Sequence, residues 1–156
     1  MKNPLKLIIS VVLCELIGIA ATPFTFSSIP TWYATLNKPS FSPPNWIFGP
    51  VWTTLYFLMG VSLYLVWSKG LGARGVRNSL YFFAAQLFFN FLWSILFFGL
   101  HSPILALVDI VLLWIFIVLT IKKFTRIDQL AAFLLIPYLL WVSFATLLNL
   151  SIAILN

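Results

Sequence analysis

The feature that most constrains this chain is a set of five long apolar runs, at 5–24, 46–67, 79–100, 103–121 and 129–155. A helix needs about 20 apolar residues at ~1.5 Å each to cross ~30 Å of hydrocarbon, and each run is close to that length. Membrane strands are shorter and alternate apolar with polar residues, which these runs do not. Backbone groups in lipid need internal partners, so the runs predict helices. Only 8% of residues are charged and 62% are apolar, against roughly 25% charged in a soluble domain. There is too little polar surface to face water, so the lipid bilayer is the expected solvent. The expected fold class is all-α: a single membrane domain, 1–156, built as a five-transmembrane-helix bundle.

The positive charges give the bundle a direction. The N-terminus and the connections at 68–78 and 122–128 share one side, and carry Lys2, Lys6, Lys69, Arg74, Arg77, Lys122, Lys123 and Arg126; the other side has Lys38 alone. Basic loops stay inside. The N-terminus is therefore expected inside, and the C-terminus and the 26–45 loop outside. The net charge of +6 forms no Arg/Lys stripe on a polar face, so nucleic acid is not an expected partner. Lys2 and Lys6 ahead of LIISVVLCELIGIAATPF invite a secretory-leader reading. The run is too long for that, Glu15 interrupts it, and the cleavage match is weak. It is expected to remain as the first span. The single cysteine, Cys14, allows no intrachain disulfide.

Polar residues inside spans are costly and need partners. In QLFFNFLWS, Gln86, Asn90 and Trp93 fall at i, i+4, i+7 and share a stripe that should face the interior. Trp141, Ala145 and Leu148 repeat that spacing, and Asn149 needs an interior partner of its own. Phe48, Trp52 and Tyr56 form an aromatic stripe in the second span. Asp109 must face a cavity, reach a polar group on another helix, or stay protonated; an interhelical hydrogen bond is the simplest outcome. Glu15, near Ser10, Gly18 and Thr22, reads as part of a packed small-residue face. Trp46 and Trp67 suit an interfacial belt, and Pro137 a kink. Trp52, Asn90, Trp141 and Asp109 lie on four separate spans. Pointed inward together they make an aromatic pocket with few polar handles, which suits a large, flat, apolar ligand. The sequence has neither a phosphate-binding Gly-rich loop nor a Cys/His cluster at metal spacing. His101, before Pro103, reads as a surface or capping residue.

LNKPSFSPPNWIFGPVW (36–52) places Pro39, Pro43, Pro44 and Pro50 in the longest connection. Prolines lose little entropy on ordering, so this loop should be a stiff lid at the pocket's mouth.

WYATLNKPSFSPPNWIFGPVWTTLYFLMG (32–60), QLFFNFLWSILFFG (86–99), ALVD (106–109) and PYLLWVSFATLLN (137–149) together resemble the tryptophan-rich sensory protein / translocator protein family, the peripheral-type benzodiazepine receptors, in its bacterial members. That resemblance implies a five-helix bundle in a bacterial cell membrane. It implies binding of protoporphyrin IX, haem-pathway tetrapyrroles and benzodiazepine- or isoquinoline-type ligands, in a sensing or transport role. The site residues it implies are Tyr33, Phe48, Gly49, Val51, Trp52, Asn90, Trp93, Leu105, Asp109, Leu112, Trp141, Ala145 and Leu148. Light- and oxygen-dependent breakdown of porphyrin is the alternative activity it implies, with Trp52 and Trp141 as catalytic residues. No cofactor is expected, the porphyrin being ligand or substrate. Leu150 stands at the tyrosine position of the animal members' cholesterol motif with no basic residue after it, so specific cholesterol binding is not expected. Tyr81 and Ala85 occupy the small-xxx-small spacing to which family dimers are attributed, and the bulk of Tyr81 counts against that packing, leaving a homodimer to other faces.

Overall fold

The computed structural model describes residues 3–156; Lys2, one of the orienting charges, lies outside them. Five helical stretches are long and apolar enough to cross a membrane, at Pro4–Ser28, Asn45–Trp67, Val76–Gly99, Pro103–Thr125 and Gln129–Leu155. The chain is an all-α, five-helix bundle.

Local chemistry sets the helix ends. Helix α1 (Pro4–Ser28) starts with Pro4 in its first turn, and Asn3 Oδ1 accepts from the N–H groups of Leu5 and Lys6 at 3.0 and 3.4 Å. It runs four residues past the expected end, through Pro23. There the hydroxyls of Thr22 and Ser27 bond to Gly18 O (3.0 Å) and Pro23 O (2.9 Å). The polar FTFSS segment thus satisfies itself as helix, and the lid begins later than position 26. A short helix, α2 (Trp32–Thr35), sits within the lid. A 3₁₀ turn at Asn45–Ile47 feeds α3 (Phe48–Trp67), with Pro50 in its first turn.

Helix α4 (Val76–Ser94) follows Gly75, whose φ of +83° requires glycine. A single π turn (Ile95–Gly99) extends it, closed by Leu100 N–H to Ile95 O at 2.7 Å. Helix α5 (Pro103–Thr125) is capped by Ser102 Oγ, and Lys122 and Lys123 lie in its last turn, where the helix dipole favours cations. The last span divides into α6 (Gln129–Leu134) and α7 (Ile136–Leu155). The break at Leu135 lies beside Pro137, as the kink expectation required. Leu135 N–H turns to Ala132 O, which frees Ala131 O, and the buried Ser62 hydroxyl donates to that carbonyl at 2.7 Å. A broken helix in lipid is tolerated when a neighbour satisfies the freed group in this way.

Helix α1 packs on α3 and α4, α4 on α5, and α5 on α7. At one end of the bundle Lys69 Nζ pairs with Asp128 at 3.0 Å, and Lys6 lies over the Trp67 ring at 5.2 Å. The N-terminal end and both basic connections therefore meet on one side. At the other end the lid meets the C-terminus: Asn37 N–H donates to Asn156 Oδ1 at 2.9 Å, and Asn156 Nδ2 to Asn37 O at 3.0 Å.

Candidate functional site

The lid-end half of the bundle is hollow. A cavity of about 750 Å³ lies between α1, α3, α4, α5 and α7, beneath the lid, within the range of small-molecule sites. The helices create it by splaying. Near the basic end α1 and α3 touch backbone to backbone, because a side chain on Gly60 would sit 2.5 Å from Val11 Cα. One turn further out, Tyr56 fills the space a side chain on Gly18 would take. At Gly49 nothing lies within 4 Å.

Nine of the thirteen expected ligand-binding residues line this space: Tyr33, Phe48, Gly49, Trp52, Asn90, Trp93, Trp141, Ala145 and Leu148. The other four do not. Val51 packs against the buried core. Leu105 and Leu112 face outward, 51% and 40% exposed. Helix α5 buries a neighbouring stripe instead, Ala106, Ile110, Leu113 and Ile117, none more than 2% exposed, and Ile110 and Leu113 form its part of the wall. Asp109 is buried beside that stripe, outside the cavity lining, and neither carboxyl oxygen has a protein hydrogen-bond partner. The expected interhelical bond is not made.

A hydrogen-bonded chain forms the cavity floor. Tyr56 Oη donates to Asn90 Oδ1. Asn90 Nδ2 donates to Tyr138 Oη at 2.9 Å, and Tyr138 Oη to Gln86 Oε1 at 2.8 Å. All four side chains are buried, so each amide and hydroxyl is fixed by its neighbour. Higher up, Trp93 Nε1 donates to Asn149 Oδ1 at 2.9 Å, Asn149 Nδ2 to Pro103 O at 2.8 Å, and the Trp93 ring stacks on Phe97 with centroids 5.0 Å apart. The interior stripes expected at Gln86/Asn90/Trp93 and the partner expected for Asn149 are both present. Phe48 meets Trp141 edge-on at 6.0 Å and Trp52 meets Tyr138 at 6.3 Å, so aromatic rings bridge α3 and α7. Trp141 Nε1 is buried with no protein partner. Such a wall presents flat apolar faces and a few fixed polar atoms.

The family model of TspO/MBR matches residues 10–155, which takes in every wall of the cavity. The chain belongs to the TspO/MBR family. It is 48% identical over 154 residues to the tryptophan-rich protein TspO of Archaeoglobus fulgidus, covering 99% of each chain. It is 39% identical over 132 residues to the tryptophan-rich sensory protein of Cereibacter sphaeroides, covering 85% of this chain and 81% of that one. With the human translocator protein it shares 43% identity over 120 residues, covering 76% and 70%.

In this TspO/MBR chain α1 supplies a wall of the cavity, where its sequence suggests a packed small-residue face. Glu15, Gly18, Ile19 and Thr22, at i, i+3, i+4 and i+7, all line the cavity, whereas Ser10 and Cys14 are fully buried between helices. The i, i+3, i+4, i+7 spacing was the available signal, since two polar residues, Glu15 and Thr22, share that stripe. Ile19, Phe26 and Trp46 on the rim are more than 60% exposed on the bundle's outer surface, so the α1–α3 gap faces the bilayer. The lid is tied down by tertiary contacts. Trp32 stacks on His101 at 4.5 Å and meets Phe97 at 5.4 Å. Ser28 Oγ donates to Phe98 O at 2.6 Å, leaving His101 Nε2–H to donate to Ser28 Oγ at 3.2 Å. His101, at φ 52°, thus ties the α4–α5 turn to the lid. Lys38 Nζ lies 4.7 Å above the ring of Tyr33. Burial pushes the Tyr33 phenol up from its ordinary pKa, with Ser42 opposing.

Proposed function

We propose that the cavity binds porphyrins, with protoporphyrin IX and haem-pathway tetrapyrroles as the main class and benzodiazepine- or isoquinoline-type molecules as further ligands, and that binding serves sensing or transport. One observation carries the reading: a cavity of porphyrin-compatible volume, about 750 Å³, walled by Phe48, Trp52, Trp93 and Trp141. The ligand needs no cofactor. Specific cholesterol binding is left out, since Leu150 stands where the motif needs tyrosine. The membrane is a bacterial cell membrane on this reading, and the basic bias supports an N-terminus inside and a lid outside.

The test is protoporphyrin quenching of tryptophan fluorescence in the dark. Trp52→Ala removes a stacking face, worth roughly tenfold in affinity at the usual value of an aromatic contact. Asn90→Ala weakens binding as well, and a melt checks that the bundle survives it. Unchanged affinity in both variants would sink the pocket assignment.

A second reading is light- and oxygen-dependent porphyrin breakdown. It is favoured by two indoles on the wall, Trp52 and Trp141, the latter with its N–H unpaired inside the protein. Oxygen is the oxidant: the excited porphyrin would take an electron from an adjacent indole, oxygen would add to the ring radical so formed, and the ring–oxygen adduct would return one electron to the indole radical as the macrocycle opens. A double variant, Trp52→Phe with Trp141→Phe, should bind porphyrin but lose it more slowly under illumination. Loss at the wild-type rate rules the tryptophans out as catalytic.

A further inference from the structure

We propose that Glu15 makes this cavity selective for flat apolar ligands bearing a protonated amine, with the carboxylate as the ligand's counter-ion. The inference rests on the reading above that the cavity is the binding site, and adds a chemical class to it. Tyrosines aside, Glu15 is the only ionisable side chain among the described residues lining the cavity. It stands about midway along α1, at the deep end of the α1 wall, thirteen residues before Ser28 and so roughly 20 Å from the lid.

Three observations leave its carboxyl to a ligand. Among the described residues the one salt bridge is Lys69–Asp128, at the basic end, and Glu15 makes no side-chain hydrogen bond. Lys6, the nearest described base on its own helix, is nine residues away, about 13 Å along the axis. The polar group packed against this part of α1 is Tyr56, whose ring fills the space beside Gly18. Its single hydroxyl proton is already donated to Asn90 Oδ1. None of the hydrogen bonds of the floor reaches Glu15.

A charge in an apolar wall is costly until a matched group reaches it. An ammonium on a planar aromatic ring supplies both the charge and the hydrogen bonds while the ring lies among the tryptophans. The opposite end of the site carries the opposite sign, because Lys38 lies over the ring of Tyr33, a lid residue on the wall. Acids on a ligand are therefore turned toward the lid, and amines toward Glu15.

The experiment compares two tricyclic probes that share a ring system, 9-aminoacridine (cationic at neutral pH) and acridine (neutral), titrated onto the full chain in a non-ionic detergent. The readout is the ratio of their affinities. Wild type is expected to prefer the cation about tenfold or more, the worth of a charge-assisted contact. Glu15→Gln should bring the ratio close to one, and Glu15→Asp should retain part of the preference. A folded Glu15→Gln protein with the wild-type ratio overturns the proposal. So does a wild type with no preference, or a Glu15→Asp protein that matches Glu15→Gln. Protoporphyrin run on wild type separates the two claims: if the amine shows the Glu15-dependent preference and porphyrin does not bind, the porphyrin reading fails alone.

Discussion

The two halves of the bundle use the same helices in opposite ways. In the basic-end half, α1 and α3 meet backbone to backbone at Val11 and Gly60. Met59, Val66, Val76, Ile117 and Phe124 are fully buried, and Phe83 stacks on Phe124 at 5.7 Å. In the lid-end half the same α1 and α3 diverge, and large aromatic rings stand around open space. Lipid supplies no hydrophobic drive between helices, so close backbone approach and satisfied polar groups have to hold the bundle. In the basic-end half the Gly60–Val11 approach and the Ser62–Ala131 bond do this, while in the lid-end half hydrogen bonds such as Trp93–Asn149 hold the walls around the space. The lesson is that apolar content alone says little about which end binds, while the space around each glycine, tight at Gly60 and open at Gly49, says a great deal.

The largest way to break this contrast is a pair of glycine substitutions. Gly60→Ala places a methyl against backbone that cannot yield, and is expected to cost about 3 kcal/mol, seen as a lowered melting temperature and lost monodisperse yield. Gly49→Ala, in open space, should leave stability unchanged or raise it by a few tenths of a kcal/mol. Equal effects would mean the halves are packed alike. Next comes the floor that joins them. Tyr138→Phe removes a group that accepts from Asn90 and donates to Gln86, leaving two buried polar atoms unpaired, at about 2 kcal/mol; a thermal melt measures it.

The lid contact is weaker. Asn156→Ala removes both bonds to Asn37 and should cost about 1 kcal/mol. Faster hydrogen exchange in the lid, with the basic-end helices unchanged, would locate the loss. The smallest effect is electrostatic. Burial raises the Asp128 pKa, but Lys69 and the Ala131 N–H outweigh it and hold it below the ordinary carboxylate value. A depressed folded pKa means that this stabilisation is present above the unfolded pKa and fades as pH falls through the folded one. Lys69 is 47% exposed, so the pair is worth under about 1 kcal/mol. The stability gap between wild type and Asp128→Asn should close on acidification, and a gap that widened would reverse the sign of the interaction.

Much of this was legible in the residues. Span length fixed five helices, and the spacing of Gln86, Asn90 and Trp93, and of Trp141, Ala145 and Leu148, marked interior stripes because amides and indoles need partners in lipid. Helix α5 was not legible. Leu105/Asp109/Leu112 and Ala106/Ile110/Leu113 both satisfy i, i+4, i+7 in a helix that is apolar all round, so hydropathy cannot choose its rotation. Packing chose the second stripe, and Asp109 was buried without joining the wall. The α1 wall was missed for a different reason. Small residues at Ser10 and Gly18 suggested uniform packing, and only the splay of α1 from α3 separates a packed stretch from an open one. His101 read as a turn residue, and its link to Trp32 and Ser28 depends on tertiary contacts that no local pattern encodes.

The central claim is that ligand enters the hollow half. It is tested most directly by filling that half. Ala145 lines the cavity, so Ala145→Phe should occupy the space without touching the basic-end packing. The account predicts that dark protoporphyrin titration of Ala145→Phe loses saturable quenching, by at least about tenfold in affinity, at an unchanged melting temperature. A folded Ala145→Phe protein that binds protoporphyrin as tightly as wild type would contradict it.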